Sequence, residues 1–185
     1  MQIPRALVAA AVLSVAAIPA FALAQVESTP IPAPAKPNFS AMSFLIGTWT
    51  CSTKSARRPS AYMTTSTYTM DPSGWWINET STTTKTKWIS ASLTNMDKFT
   101  YDADTHRWVD VTVGPQNGYG LAFSSGWHGN TMSWHDVAFM AGPDIASQTD
   151  NVLTKVSNTK VTSSSSFTET KSGRRVAVTG VCTKQ

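Results

Sequence analysis

From Leu45 onward, apolar and polar residues alternate in short runs rather than recurring at helical spacing. No stretch of about 11 residues carries an i, i+3, i+4, i+7 apolar stripe, so the pattern argues against long helices. Runs rich in Thr, Ser, Val, Tyr, Phe and Trp recur instead, with turn signals about every 8–12 residues, the spacing of a sandwich or barrel. Thr suits a pleated, half-buried surface, which strengthens the strand reading. The pattern predicts strands at 46–54, 61–70, 75–84, 87–93, 96–102, 106–114, 119–125, 131–139, 151–157, 161–170 and 174–183. Taking 75–84 and 87–93 as one bent strand leaves about ten, an even count that lets the last strand close on the first. The expected fold is all-β, an up-and-down antiparallel barrel, which leaves no exposed sheet edge. A helical turn is expected near Phe39 to Phe44, after Pro37.

The turns support this order. Asp71-Pro72-Ser73-Gly74 places Pro where φ is fixed and Gly where φ turns positive. Asp102-Ala103-Asp104-Thr105, Gly126-Trp127-His128-Gly129-Asn130 and Lys171-Ser172-Gly173-Arg174 are each short enough to join antiparallel neighbours.

The beginning of the chain follows different rules. Arg5 precedes a nearly unbroken apolar run from Ala6 to Phe21, and Ala22-Leu23-Ala24 then supplies small residues at a cleavage site. This is the order of a signal peptide, expected over 1–24 and placing the mature chain in the periplasm or outside the cell. The run is shorter than the roughly 20 residues of a comfortable membrane span, so no span is expected after cleavage. Pro30, Pro32, Pro34 and Pro37 make 25–37 an extended linker, and 38–185 the barrel domain.

Composition narrows the function classes. The 185 residues carry a net charge of +4 and only 14% charged residues. Basic doublets at Arg57-Arg58 and Arg174-Arg175 do not make the dense basic face of a nucleic-acid protein, so no nucleic-acid partner is expected. His106, His128 and His135 lack the H-E-x-x-H spacing, no phosphate-cradling glycine loop occurs, and the many serines include no G-x-S-x-G elbow. No catalytic residue, metal ligand or cofactor is assigned. Cys51 and Cys182 fall in the first and last strands with the parity of Trp49 and of Val176 and Val178. In an oxidising compartment they are expected to staple the barrel seam; two buried free thiols are the alternative.

The segment Phe44-Leu45-Ile46-Gly47-Thr48-Trp49 is similar to the G-x-W opening of lipocalin-like (calycin) barrels. With Tyr101-Asp102, Arg107-Trp108, Gly118-Tyr119-Gly120 and Gly126-Trp127, it resembles uncharacterised bacterial secreted families built on that barrel, over about residues 38–183. The resemblance implies ten up-and-down strands and a small-molecule cavity. Related nitrobindin-type barrels hold haem through a histidine near the chain end. Here the last histidine is His135, so haem is not carried over.

Parity nominates a ligand site. Tyr62 and Tyr68 share a face of the second strand, Glu79 has the parity of Trp75 and Ile77, and Asp136 that of Met132 and Trp134. If these faces line the barrel, Tyr62, Tyr68, Trp75, Glu79, Trp134 and Asp136 surround a small apolar or amphipathic molecule; a bulge would turn Glu79 or Asp136 to solvent instead. In the next strands Val109, Val111 and Val113 are expected inside, with Trp108 and Asp110 outside. Trp49 is expected to plug the closed end. Three readings stay open: a binding barrel, a solid-cored structural barrel, and a cavity enzyme using Glu79, Asp136 and a tyrosine for acid–base work.

Overall fold

The computed structural model describes residues 33–115, 117–140, 145–148 and 150–185. The expected signal peptide, 1–24, and the linker as far as residue 32 lie outside them. Within the unit Ala35–Gln185 a short 3-10 helix, η1 (Ser40–Leu45), leads into strands β1 (Gly47–Ser55), β2 (Tyr62–Met70), β3 (Ile77–Thr83), β4 (Leu93–Asp102), β5 (Arg107–Val113) and β6 (Tyr119–Ser124). They are followed by β7 (Trp127–His128), β8 (Thr131–Met140), β9 (Ile145–Gln148), β10 (Asn151–Ser157), β11 (Lys160–Glu169) and β12 (Arg175–Lys184). Strands β1 to β6 pair in sequence, β6 pairs β8, β8 pairs β10, and β10, β11 and β12 lead back to β1. The result is a closed antiparallel barrel of ten strands, as the alternation predicts. The two-residue β7 forms a hairpin with β8, and β9 pairs with β11 beside the closed path. Among the described residues no helix is long and apolar enough to cross a membrane.

Ten strands arise by a different route from the expected one. Segment 87–93 is not the second half of a bent strand. Residues 84–92 are a connection, and β4 begins at Leu93. The reason is local: Thr86 Oγ1 accepts the Ile89 amide at 3.0 Å, and the Thr86 amide reaches the Ile89 carbonyl at 3.0 Å. A turn that satisfies its own backbone groups has no need of a ladder partner. Likewise β3 starts at Ile77, leaving Trp75 in the preceding turn, where Gly74 has φ 71° and its amide donates to the Asp71 carbonyl at 2.8 Å.

The facing of β5 also differs from expectation. Trp108 is buried, whereas Val111 and Val113 are exposed. The register sets Trp108 opposite Tyr101, Asp110 opposite Phe99 and Thr112 opposite Asp97. Trp108 packs 5.8 Å from the Phe39 ring and 5.6 Å from Tyr101. Strand faces switch as a set, so one large ring seated in the floor turns three valines outward.

That floor closes one end. Phe39, Met42 and Leu45 of η1 and its approach join Trp49, Ile77, Phe99, Trp108, Met132 and Trp134 in a single apolar cluster. Trp49 is 1% exposed, and its Nε1 donates to the Leu45 carbonyl at 2.7 Å, tying strand to helix. Lys184 lies over the Trp49 ring at 5.7 Å and donates to the Phe44 carbonyl at 2.9 Å. Gly47 sits at φ 123°, and a Cβ there would meet Lys184 Cε at 2.9 Å, so only glycine fits this entry to β1. Cys51 and Cys182 are directly opposed across β1 and β12 and are joined by a disulfide, the expected seam staple.

Candidate functional site

Above the floor the inward positions change from apolar to polar. On β1 the inward row runs Trp49, Cys51, Thr53; on β2 it runs Tyr68, Ser66, Thr64, Tyr62; on β3 it runs Glu79, Ser81, Thr83. These three strands wall a cavity of about 300 Å³, completed by Leu153 and Asn151 of β10, Val161 and Ser163 of β11, and Cys182. Gly180 of β12 leaves room for the Ser163 hydroxyl, because a Cβ there would meet Ser163 Oγ at 2.5 Å.

The structure brings together Tyr62, Tyr68 and Glu79 of the nominated residues. Trp134 belongs to the floor, buried with its ring 5.6 Å from Phe99. Trp75 is half-buried in the turn before β3, where its carbonyl accepts Thr100 Oγ1 at 2.7 Å. Asp136 lies on β8 opposite Ala122, just before a bulge, half-buried, with Oδ2 enclosed and without a hydrogen-bond partner.

Sequence reasoning missed two members of the same wall. Asp97 of β4 stands directly opposite Glu79, and Asp110 of β5 stands one strand further on, opposite Phe99. Thr112 donates to Asp97 at 2.5 Å, while Asp110 Oδ1 is buried with no hydrogen-bond partner. A period-two reading of β5 anchored on Trp108 rather than on the valines would have turned Asp110 inward.

Burial and the charge of Asp97 push the Glu79 carboxyl up to about 7, although Ser66 and Tyr68 both hydrogen-bond to it and pull the other way. Burial, then Asp97, Glu79 and Asp136, push Asp110 up to about 9. Burial raises Asp97 against the pull of Thr112, and raises Asp136 together with the charge of Asp150. Burial and the charge of Glu79 hold the Tyr68 phenol well above its usual value. Glu79 can thus exchange a proton near neutrality, with Tyr68 and Ser66 fixing its orientation. Among the described residues no three His, Cys, Asp or Glu side chains are grouped to hold a metal ion.

A pH dependence of stability follows. Unfolded carboxyls titrate near pH 4, below both folded values, so the folded state binds the extra protons. Stability is expected to fall as pH rises from about 4 towards 7 for Glu79 and towards 9 for Asp110, by about 1.4 kcal/mol per pH unit for each group. Asp71, Asp102 and Glu169, held low by hydrogen bonds at the turn before β3 and at the ends of β4 and β11, act in the opposite sense only below about pH 4. Thermal melts should give a higher Tm at pH 5 than at pH 8, and Asp110→Asn should raise the pH 8 value and shrink the difference. A Tm that rises with pH over this range contradicts the buried-acid wall.

No family model and no curated protein matches the chain. Among solved structures, EF1p2_mFAP2b bound to DFHBI is similar, with a TM-score of 0.40 and 14% sequence identity over 78% of this chain and 97% of that one.

Proposed function

We propose that this chain is an exported binding protein whose barrel lumen holds one small amphipathic molecule. The cavity carries this reading: about 300 Å³ of space above Trp49, faced by the rings of Tyr62 and Tyr68 and by a few polar groups led by Glu79. Aromatic walls with a small number of placed polar groups are the usual make-up of a small-molecule site. Thr64, Ser66, Ser81 and Ser163 line the same space, which favours a ligand with its own hydrogen-bonding groups over a plain hydrocarbon. Trp134 supports the site from below by packing against Phe99.

Export is the companion reading. The leader ending at Ala24 and the Cys51–Cys182 bridge both suit an oxidising compartment. The Gly47-Thr48-Trp49 opening supports kinship with the lipocalin-like bacterial secreted families that it resembles. Amino-terminal sequencing of the exported protein should give Gln25 as the first residue; a chain still starting at Met1 rejects the leader.

Binding is tested with the mature protein. Native mass spectrometry should show a small mass released on denaturation, or calorimetry with the neutral probe indole-3-ethanol should show one saturable site. Thr64→Trp, which fills the cavity from β2, should abolish either signal while the unfolding midpoint stays close to the parent's. No bound mass and no saturable uptake of the indole would reject the binding barrel in favour of a structural one.

A further inference from the structure

Resting on the reading of the lumen as a binding site, we propose that its ligand carries a cationic nitrogen, an ammonium or amidinium on a flat apolar body, with Glu79 as its counter-ion.

The charge pattern of the interior points this way. Glu79 lines the cavity, and the wall behind it continues with Asp97 on β4 and Asp110 on β5, with Asp136 on β8 beyond. Of the bases, Lys155 and Lys184 are at the closed end, while Arg57 and Arg58 line the pocket at the other end that shares Tyr62 and Thr83 with the lumen, Arg57 being paired with Glu169 at 3.2 Å. Lys155 lies 4.3 Å over the Phe44 ring, and Lys184 is spent on Trp49 and the Phe44 carbonyl. None of these bases stands on the strand wall at Glu79, whose facing groups are hydroxyls and Asp97. A carboxylate taken out of water without a partner is costly, and a cation delivered to it turns that cost into a charge-assisted hydrogen bond. An anionic ligand would meet like charge at the same place.

The geometry around Glu79 suits such a group. Tyr68 and Ser66 each donate to its carboxylate, which fixes the side chain and leaves further lone pairs for an N–H donor. The Tyr68 ring lines the same cavity from the position opposite Glu79, and aromatic faces attract cations within about 6 Å. The same cavity offers an apolar body Leu45, Trp49 and Leu153.

Proton balance gives a second signature. The amine keeps its proton on binding, and Glu79 must give its own to solvent. At pH 8 Glu79, held at about 7, is mostly ionised; at pH 6 it is mostly protonated. The groups facing it are Tyr68 and Ser66 from β2 and Asp97 from β4, with Asp110 and Thr112 from β5. Asp110, held at about 9, stays mostly protonated across that range.

Isothermal calorimetry on the mature protein with tryptamine, indole-3-ethanol and indole-3-acetate decides the matter. At pH 8 tryptamine should bind about tenfold or more tightly than the alcohol, with the acid weakest. Tryptamine should weaken about tenfold from pH 8 to pH 6 as Glu79 takes up its proton, and the alcohol should change by less than about twofold. Glu79→Gln should bring tryptamine down to the alcohol's affinity. Should that variant not fold, the pH series on the parent protein still decides. Equal affinities for amine and alcohol at pH 8 overturn the cation and leave the lumen a binding site. Failure of both to bind overturns the cation, and the binding reading falls with it when native mass spectrometry shows no bound mass either.

Discussion

Replacing Cys51 and Cys182 together by alanine is expected to lower stability by about 2–5 kcal/mol. The bond closes a loop with a sequence separation of 131, and chain-entropy reasoning for a loop of that size gives the upper end of the range. Its place matters as much as its length. β1 and β12 are the first and last strands, so the barrel closes there by pairing the two ends of the domain. Trp49 to Ser55 form a continuous ladder with Lys184 to Val178 across that seam, and the Gln185 amide adds a bond to the Thr48 carbonyl at 2.9 Å. The ladder keeps the barrel closed in the double variant, so the loss falls on the unfolded state, which regains the freedom of the whole loop. Urea unfolding of parent, reduced parent and double variant should place the last two together, well below the first. A difference under about 1 kcal/mol would mean that the unfolded chain is held compact by something other than the bridge.

Trp49→Ala is expected to cost about 3–5 kcal/mol, the range for a large aromatic removed from a filled core. Trp49 links three layers of the closed end. Its ring meets Phe44 edge-on at 6.4 Å, Lys184 lies across it, and its Nε1 satisfies the Leu45 carbonyl at the end of η1. Alanine removes the ring and leaves that buried carbonyl without its donor, which adds about 1–3 kcal/mol of unmet hydrogen bonding within the total. Trp49→Phe separates the two contributions: the ring stays, the donor goes, and the loss should be under about half of that for alanine. Because Trp49 also forms the bottom of the cavity, the alanine variant should enlarge the lumen and weaken indole-3-ethanol binding as well. Equal losses for the two variants would show that the hydrogen bond, not the packed ring, holds η1 in place.

The period-two alternation, the spaced turns and the Gly47-Thr48-Trp49 entry by themselves determined the barrel. Each is local: a strand face repeats every second residue, and Asp71-Pro72-Ser73-Gly74 closes its turn with its own hydrogen bonds. The seam staple was equally legible, because both cysteines carry inward parity in the strands that must meet. The same rule put Tyr62, Tyr68 and Glu79 on inward faces. What only the tertiary structure decided was register and competition between faces. Val109, Val111 and Val113 look like an inner row, yet Trp108 fills the floor better and takes that side, carrying Asp110 in with it. Asp97 became a neighbour of Glu79 only through the pairing of β3 with β4, after a connection at 84–92 that reads as strand in sequence but satisfies itself through Thr86. The acid wall could not be read residue by residue, because it is a property of three registers at once. A slip of one residue in any of them would turn an acid back to water.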